Sequence, residues 1–595
     1  MCGLSVWITK NRPDKRNFEL YNDLVAHRGP DAKSVEFYEE GAVFISFGHR
    51  RLSIIDLNEN ANQPFHYENY TIVFNGEIYN YLELKKELKE KGVVFKTKSD
   101  TEVLIKSYAY WGQECLNKFN GMFSFLIYDR SKKEIFLARD RFGIKPLYYY
   151  VNENSEIFFA SEIKQIVSLD CYTSIGNVNA IGNFIENRYI DYSNETFFHN
   201  IFQICGGEAA LVNLTTLKID KHSWYKIDDT ESIPSPTVKD FYQLFKSSIE
   251  LRLRSDVEVG SCLSGGVDSS SIVCVADEIL KGCKKYTLKT FTSCFDDKKF
   301  DEREYVNLTK SVTNIDTTYL FPQPTDFFNK IDSLIYIHDE PIWSSSIFAQ
   351  HEVFSSASKA KVRVILDGQG ADEVFCGYLG IFYPTYFYGL SKFLQFKELT
   401  RSVNKKFAFS LFVKQFLPIK IKNNESKVMS VNFNNQFRSN FKSLKEQTAY
   451  FIKYHLPALL HYEDRNSMSN SVESRLPFLD FRLVEFGYHM PDYFKISNAI
   501  GKVVIRDAMR GITPDEILDN KNKKGFVTPQ IIWINKNSQE VRNQIKKLIV
   551  FKFIDELKFC KILDDFTKEV YDEGLIMRMY TLSKWIDVFN IKKVI

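Results

Sequence analysis

Ser264-Gly265-Gly266-Val267-Asp268-Ser269-Ser270 follows an apolar-alternating run, Val257 to Leu263, and precedes Ile272-Val273-Cys274-Val275-Ala276. The first run predicts a short buried strand and the last a helix, with small residues between them. A strand that breaks through two glycines into a helix aligns backbone N–H groups at the helix N-terminus, where an anion can approach closely. The spacing is not that of a Walker A loop, and no Gly-Lys-Ser/Thr closes it. Instead the stretch carries Asp268, a hard oxygen ligand suited to the Mg²⁺ that accompanies nucleotide phosphates. A Gly-Gly turn with a Ser/Asp helix cap is the plain alternative, and the rest of the chain decides between them.

Downstream, Lys289 to Phe295 and Lys361 to Leu366 read as two more strands separated by helical segments; from Lys239 an amphipathic helix leads into the 257–263 run. Such alternation predicts a parallel sheet with ligands at the carboxyl ends of its strands. At the end of the 361–366 run stands Asp367-Gly368-Gln369-Gly370-Ala371-Asp372-Glu373-Val374-Phe375, laid out as in the opening motif: strand, glycine-bracketed turn, acid, helix. Two such turns at neighbouring strand ends can converge on one nucleotide, with Asp268 and Asp372 sharing the magnesium. Capping Gly/Asp turns are again the plain alternative.

At 595 residues the chain exceeds one ordinary core, so two or more domains are expected. Asp228 to Thr237 (DDTESIPSPT), acidic and Ser/Pro-rich, reads as the connection. A hydrophobic share of 44% with 26% charged residues describes a soluble globular protein. Lys plus Arg number 78 against 75 Asp plus Glu, which makes no bulk electrostatic case for nucleic acid. Ten cysteines without a Cys-x-x-Cys argue against a zinc cluster and a disulfide framework. The apolar run Phe407 to Val413 is too short to span a bilayer, and no charged leader precedes a long apolar core. A cytoplasmic protein without stable membrane insertion is expected. The basic, aromatic stretch Tyr383 to Phe451 is expected to form helices capping the site, with an interfacial amphipathic surface as the other reading.

At the N-terminus, removal of Met1 would leave Cys2 with a free α-amine, whose reference pKa of about 7.7–8.0 lets it act as a base for its own thiol. A buried small hydrophobe is the plain reading of Cys2. Further on, Ile72 to Asn80 reads as a strand running into a turn, and Gly48 to Asp56 places Arg50 and Arg51 at the start of an apolar strand. Ser99-Asp100-Thr101-Glu102 opens a helix, with Asp100 at a capping position. Hydrolysing a carboxamide through a thiolate needs donors for the tetrahedral oxyanion, which Asn75 and the Gly76 N–H would supply. A free amino acid needs a cation for its carboxylate and an anion for its ammonium, jobs that fit Arg51 and Asp100. Singly, Asn75-Gly76 also fits a hairpin turn.

Cys2-Gly3, HRGPD at 27–31, RLSIID at 51–56, NGEIYN at 75–80 and RDRFGIKPLYY at 139–149 resemble a class II glutamine amidotransferase domain. More narrowly, they resemble the N-terminal half of the glutamine-hydrolysing asparagine synthetases. SGGVDSS, DGQGADE, Asp339-Glu340-Pro341, Glu463-Asp464-Arg465, Glu473 to Asp480 and Gly501-Lys502 with Arg506 resemble the synthetase half of the same family; Lys523-Lys524-Gly525-Phe526 fits more loosely. The resemblance implies an α+β N-terminal-nucleophile αββα sandwich over 2–225 and a linker over 226–238. It implies an α/β parallel-sheet ATP-pyrophosphatase domain, adenine nucleotide alpha hydrolase-like, over 239–595. It implies Cys2 as nucleophile, Asn75 and Gly76 as oxyanion hole, and Arg51, Asn75, Gly76, Glu77 and Asp100 as glutamine-binding residues. ATP would be held by Leu263, Ser264, Gly265, Gly266, Asp268, Ser269, Ser293, Asp367 and Gly368, magnesium by Asp268 and Asp372. Lys502 would neutralise charge building on the phosphates and acyl group. In that family ATP adenylates a carboxylate, aspartate, and ammonia displaces AMP; a homodimer is compatible with the resemblance.

One departure bears on the acceptor. The family's second turn reads Gly-Glu-Gly, with the glutamate implicated in forming the acyl-adenylate; here it is Gln369, which cannot supply negative charge. Asp367, where the family carries Ser, adds a carboxylate two positions earlier, on the opposite side of an extended chain. Gln369 therefore motivates an alternative acceptor such as a uronic acid of a surface polysaccharide. A catalytically silent sensor or scaffold is the reading from another class, against which the joint presence of Cys2, Arg51, Asn75, Asp100, Asp268 and Asp372 argues.

Overall fold

The computed structural model describes residues 2–595 except 233, 283–285, 403–404, 415–427, 436–437, 439, 522–526 and 569–570. In the first half, two six-stranded sheets lie face to face. One runs in the order Ile201–Gln203, Tyr148–Val151, Ile157–Ala160, Cys2–Thr9, Val43–Arg51, Ala32–Glu40; the other runs Lys218–Ser223, Glu208–Asn213, Glu134–Arg139, Gly121–Asp129, Tyr70–Ile78, Phe65–Tyr67. Neighbouring strands are antiparallel in both. Side chains alternate across a strand, so Leu4, Val6 and Ile8 meet Val73, Leu126 and Leu137 in the core between the sheets. Helix Asp100–Trp111 covers the second sheet through Val103, Leu104 and Ile105. Helices Lys15–Asp23, Ile163–Val167 and Val178–Asn187 cover the first. The result is the expected αββα sandwich.

The alternation also places the chemistry. Cys2 shares the inward face of its strand with Leu4, and Asn75 and Glu77 share theirs with Val73. Asn75 and Gly76 lie inside strand Tyr70–Ile78, not in a turn. His49 to Arg51 end strand Val43–Arg51 rather than opening one, and Leu52 to Asp56 leave it as a loop.

The second half holds the expected parallel sheet, ordered Ile315–Leu320, Leu288–Ser293, Val259–Cys262, Val364–Leu366, Glu473–Arg475. Strands 259–262 and 364–366 are neighbours, and the strand order reverses between them, where an open parallel sheet leaves a crevice. Helix Val238–Arg252 leads in, opened by a reciprocal cap between Thr237 and Asp240. The 383–451 stretch gives helices Leu379–Gly389, Lys392–Arg401, Lys405–Lys414 and Leu444–Tyr454 around Phe382, Tyr383, Phe387, Ala408 and Leu411. Among the described residues of these helices, Leu379 and Gly380, which precede the 383–451 stretch, are the ones that line the larger cavity beside Tyr378. Among the described residues no helix is long and apolar enough to cross a membrane.

The halves share their cores. One apolar cluster joins Phe18, Phe158 and Ile181 to Phe327, Trp533 and Trp585; another joins Leu52, Tyr79 and Phe142 to Phe241, Leu263 and Phe478. The last strand, Lys593–Val594, pairs in parallel with Ile175–Gly176 of the first half.

Candidate active site

Cys2 lies 6% exposed at the edge of the sandwich, its backbone nitrogen donating to Asn75 Oδ1 at 3.0 Å. That contact uses the oxygen of the Asn75 amide and leaves its buried Nδ2 without a hydrogen-bond partner. A buried, unpaired N–H pair is costly unless something accepts from it. Here it sits beside a thiol, where an oxyanion could accept. Gly76 comes next because its backbone passes against the neighbouring strand: a Cβ there would collide with the Met122 carbonyl oxygen. Burial works to raise the Cys2 thiol, but the His49 imidazole and the amino-terminal charge outweigh it and bring the thiol down to about 7.

The carboxylates around this thiol lack strong cationic partners. Glu77 is 3% exposed, with Oε1 unpartnered and Oε2 3.4 Å from Arg475 Nη2. Burial first, then the neighbouring Asp100 charge, raise it well above the usual carboxylate range. Asp100 is raised to about 6, again mainly by burial, although Ile78 N donates to it at 3.0 Å. Ser99, not Asp100, caps the helix, accepting from Thr101 N at 3.1 Å. Asp100 is the first helical residue, and its side chain is spared the capping role that its position suggested. Two buried acids raised together make a receptor for a compact cation such as an α-ammonium group. Arg51 Nη1 donates to Asn58 O at 2.8 Å and Asn62 Oδ1 at 2.9 Å, while Nη2 bonds the carbonyls of Ile55 and Asp56. It holds loop 55–62 in place beside Cys2, since Arg51 is the strand partner of Cys2.

Behind the thiol, the two halves meet through buried charge. Arg28 Nε donates to the Cys2 carbonyl at 3.0 Å, and its guanidinium grips Asp464 through two bonds, 2.7 and 3.1 Å. Lys145 Nζ reaches the same carboxylate at 3.2 Å. Arg465 pairs with Glu162 at 3.3 Å and Asp339 at 3.1 Å. Helix Leu456–Met468, which carries Glu463, Asp464 and Arg465, is thus the wall between the first half and the crevice.

On the other side of that wall, a cleft of about 160 Å³ is lined by Ser264, Gly265, Gly266, Asp268, Ser269, Asp367, Gly368, Gln369, Asp372 and Lys502. The loop is shaped internally, Ser264 N donating to Ser269 Oγ at 3.1 Å as helix Val267–Gly282 begins. Lys502 is 3% exposed and its ammonium bonds both Asp268 and, at 2.7 Å, Asp372. Gly377 makes this possible: a Cβ there would collide with Asp372 Oδ1 and Lys502 Cε. Leu263 and Ser293 are not in the lining; they follow and end the neighbouring strands, and the Ser293 hydroxyl is unpaired among the described residues. The chain does not stay extended after Asp367, so Asp367 and Gln369 edge the same cleft. A second cavity of about 550 Å³, walled by Trp343, Gln350, Tyr378 and Tyr462, shares Gln369 and Asp372 with the first. Lys523 to Phe526 lie outside the described residues.

Sequence reasoning missed His49, Arg28 and Arg475, each inside a motif it had marked for other residues. Only the sandwich turns His49 toward Cys2, and only the packing of the halves brings Arg28 and Arg475 to the thiol pocket. Arg506, marked but given no role, also lines the cleft, with Glu302 and Asn520.

Residues 1–225 match the family model described as glutamine amidotransferase domain, and residues 240–586 match that described as asparagine synthase. The chain belongs to the asparagine synthase family. Asparagine synthetase [glutamine-hydrolyzing] 1 of Bacillus subtilis (strain 168) is 31% identical over 588 residues, covering 93% of this chain and 90% of the relative. A putative asparagine synthetase [glutamine-hydrolyzing] 2 of Methanocaldococcus jannaschii is 34% identical over 406 residues, covering 64% and 76%. Asparagine synthetase [glutamine-hydrolyzing] 3 of Bacillus subtilis is 28% identical over 543 residues, covering 88% and 86%. Membership in the asparagine synthase family accounts for both halves, an amidotransferase sandwich joined to a parallel-sheet synthetase.

Proposed function

We propose that this chain is an ATP-dependent ligase that hydrolyses glutamine at Cys2 and passes the ammonia to aspartate activated as its acyl-adenylate, giving asparagine, glutamate, AMP and pyrophosphate. The observation that carries the reading is the pair of joined cavities: Gln369 and Asp372 border both, so a carboxylate in the larger lies beside phosphates in the smaller. Relatives named glutamine-hydrolysing asparagine synthetase support aspartate as the acceptor. No feature of the described residues favours a uronic acid.

With Met1 removed, the Cys2 α-amine keeps its contact to Asn75 Oδ1 and takes the thiol proton. The thiolate attacks the glutamine carboxamide, and Asn75 Nδ2 with the Gly76 N–H receives the oxyanion. Glu77 and Asp100 take the substrate ammonium, while Arg51, its Nη groups holding loop 55–62, shapes the pocket wall and sets a positive charge beside the substrate carboxylate. In the cleft, the Ser264–Ser269 loop cradles phosphate and the Lys502 ammonium neutralises charge on the acyl phosphate as it forms and breaks. Asp268 and Asp372, hard oxygen donors already spaced to share one cation, fit Mg²⁺ and would hold it. When bound, the ion neutralises the phosphate charge.

The test is pyrophosphate release by the purified protein with ATP and aspartate, driven by glutamine or by ammonium. Cys2→Ala should abolish the glutamine-driven reaction and leave the ammonium-driven one. Release that ignores aspartate would refute the acceptor, and equal loss of both reactions would refute the two-site assignment.

A further inference from the structure

Gln369, on the border of both cavities, carries no charge, and the structure shows where a carboxyl group stands nearby. Asp367 edges the nucleotide cleft, and its carboxyl group faces that of Glu463, which is 2% exposed on the dividing helix. Two buried carboxyl groups facing each other resist both being ionised, so one shared proton and a single negative charge suit the pair. It is held firmly: Gly368 N donates to Asp367 Oδ1 at 2.6 Å, Gln350 Nε2 to Glu463 Oε2, and the Ser474 hydroxyl to Glu463 Oε1. Among the described residues, the Cys262 thiol beside Asp367 and the Lys145 ammonium near Glu463 also face it. Burial, before any neighbouring charge, raises both carboxyls, Glu463 the further.

We propose that Asp367 is a catalytic residue, the acceptor for the proton released when ammonia attacks the acyl-adenylate, and that Glu463 is its positioning partner. The inference rests on the ligase reading above. Adenylation exchanges a carboxylate oxygen for pyrophosphate and releases no proton. Amide formation must release one: the ammonia lone pair makes the C–N bond, the acyl–O bond breaks with its electrons leaving on AMP, and the nitrogen sheds a proton. Gln369 cannot accept it, and Lys502 is an ammonium already bonded to Asp268 and Asp372. The Asp367–Glu463 pair, singly charged, takes the proton and becomes neutral, returning it to solvent after AMP departs. Its place suits the task, because Glu463 directly precedes Asp464, whose carboxylate is bound by the same Arg28 that holds the Cys2 carbonyl.

The experiment uses the full chain carrying Glu463→Gln, with aspartate-dependent ATP–pyrophosphate exchange and ammonium-driven asparagine formation measured across pH. The amide introduced by that substitution donates to Asp367 and makes it a weaker base. Amide formation should fall about 10- to 100-fold while exchange falls by less than about threefold. The acid limb of the amide-forming profile should move to lower pH. Asp367→Asn should lose amide formation as deeply, and adding Gln369→Glu to it should restore at least about tenfold, through a carboxylate on the border of both cavities. Glutaminase activity at Cys2 reports that each variant is folded. Wild type without aspartate-dependent exchange would overturn the ligase reading and this inference with it. Wild-type exchange with Glu463→Gln losing both steps equally, or neither, would overturn the inference alone.

Discussion

Asn75 divides its amide between two tasks: its oxygen fixes the nitrogen of Cys2, and its N–H₂ is left facing the space beside the thiol. Asn75→Ala should therefore lower glutamine turnover roughly 10²–10³-fold and spare ammonium-driven synthesis, measured as glutamate and pyrophosphate release. The thiol at about 7 implies that glutaminase kcat/KM rises with pH through about 7. His49 is a principal group opposing the effect of burial there. His49→Ala should move that limb upward toward the ordinary thiol range and cost roughly tenfold or more at pH 7, read from the pH–rate profile. A limb unmoved by the substitution would remove His49 from the site. Cys2, Asn75 and Asp100 were legible in the sequence because their motifs are contiguous. His49 was not, because strand direction decides whether it faces Cys2, and the run 48–56 was read as opening a strand that it closes.

At the scale of elements, helix Leu456–Met468 separates the two chemistries and carries a side chain to each. Asp464 is fully desolvated between Arg28 and Lys145, and their charges hold its carboxyl well below the usual range against the effect of burial. Asp464→Asn would leave two buried cations short of an anion, a change that costs about 3–5 kcal/mol where buried pairs have been broken. Thermal unfolding should shift downward, and ammonia should escape: glutamate formed per pyrophosphate should rise above the wild-type ratio. A variant destabilised but still tightly coupled would show that the pair only supports the fold. The parallel sheet and its two glycine turns were readable from the strand–turn–helix pattern, since each element is local. The pairing of Glu463 with Asp367 was not, because it joins a helix to a turn far away along the chain.

Across the whole molecule, the halves are bound by shared apolar clusters and by buried ion pairs that need ionised carboxylates. Asp464 is bridged to Arg28, and Asp480 is brought down to about 2 against the effect of burial by Arg482 at 2.8 Å, Arg252 at 3.2 Å and Asn120 at 2.9 Å. Both carboxyls are depressed on folding, so their stabilisation is complete above their unfolded value of about 4 and lost as pH falls through the folded value. Acid titration should loosen the contact between the halves between about pH 4 and 2, seen as loss of coupling before loss of far-UV dichroism. The sequence divided the chain into two chemistries, but the shared cores and the return of strand Lys593–Val594 to the first half arise from packing that no local pattern records.

The central claim is that ammonia made at Cys2 reaches an activated aspartate without entering bulk water. The direct measurement is asparagine formed from amide-¹⁵N glutamine, ATP and aspartate in the presence of excess unlabelled ammonium. The account predicts product labelled predominantly from glutamine, with Cys2→Ala making only unlabelled asparagine. Label diluted to the composition of the ammonium pool, or no aspartate-dependent product at all, would contradict it.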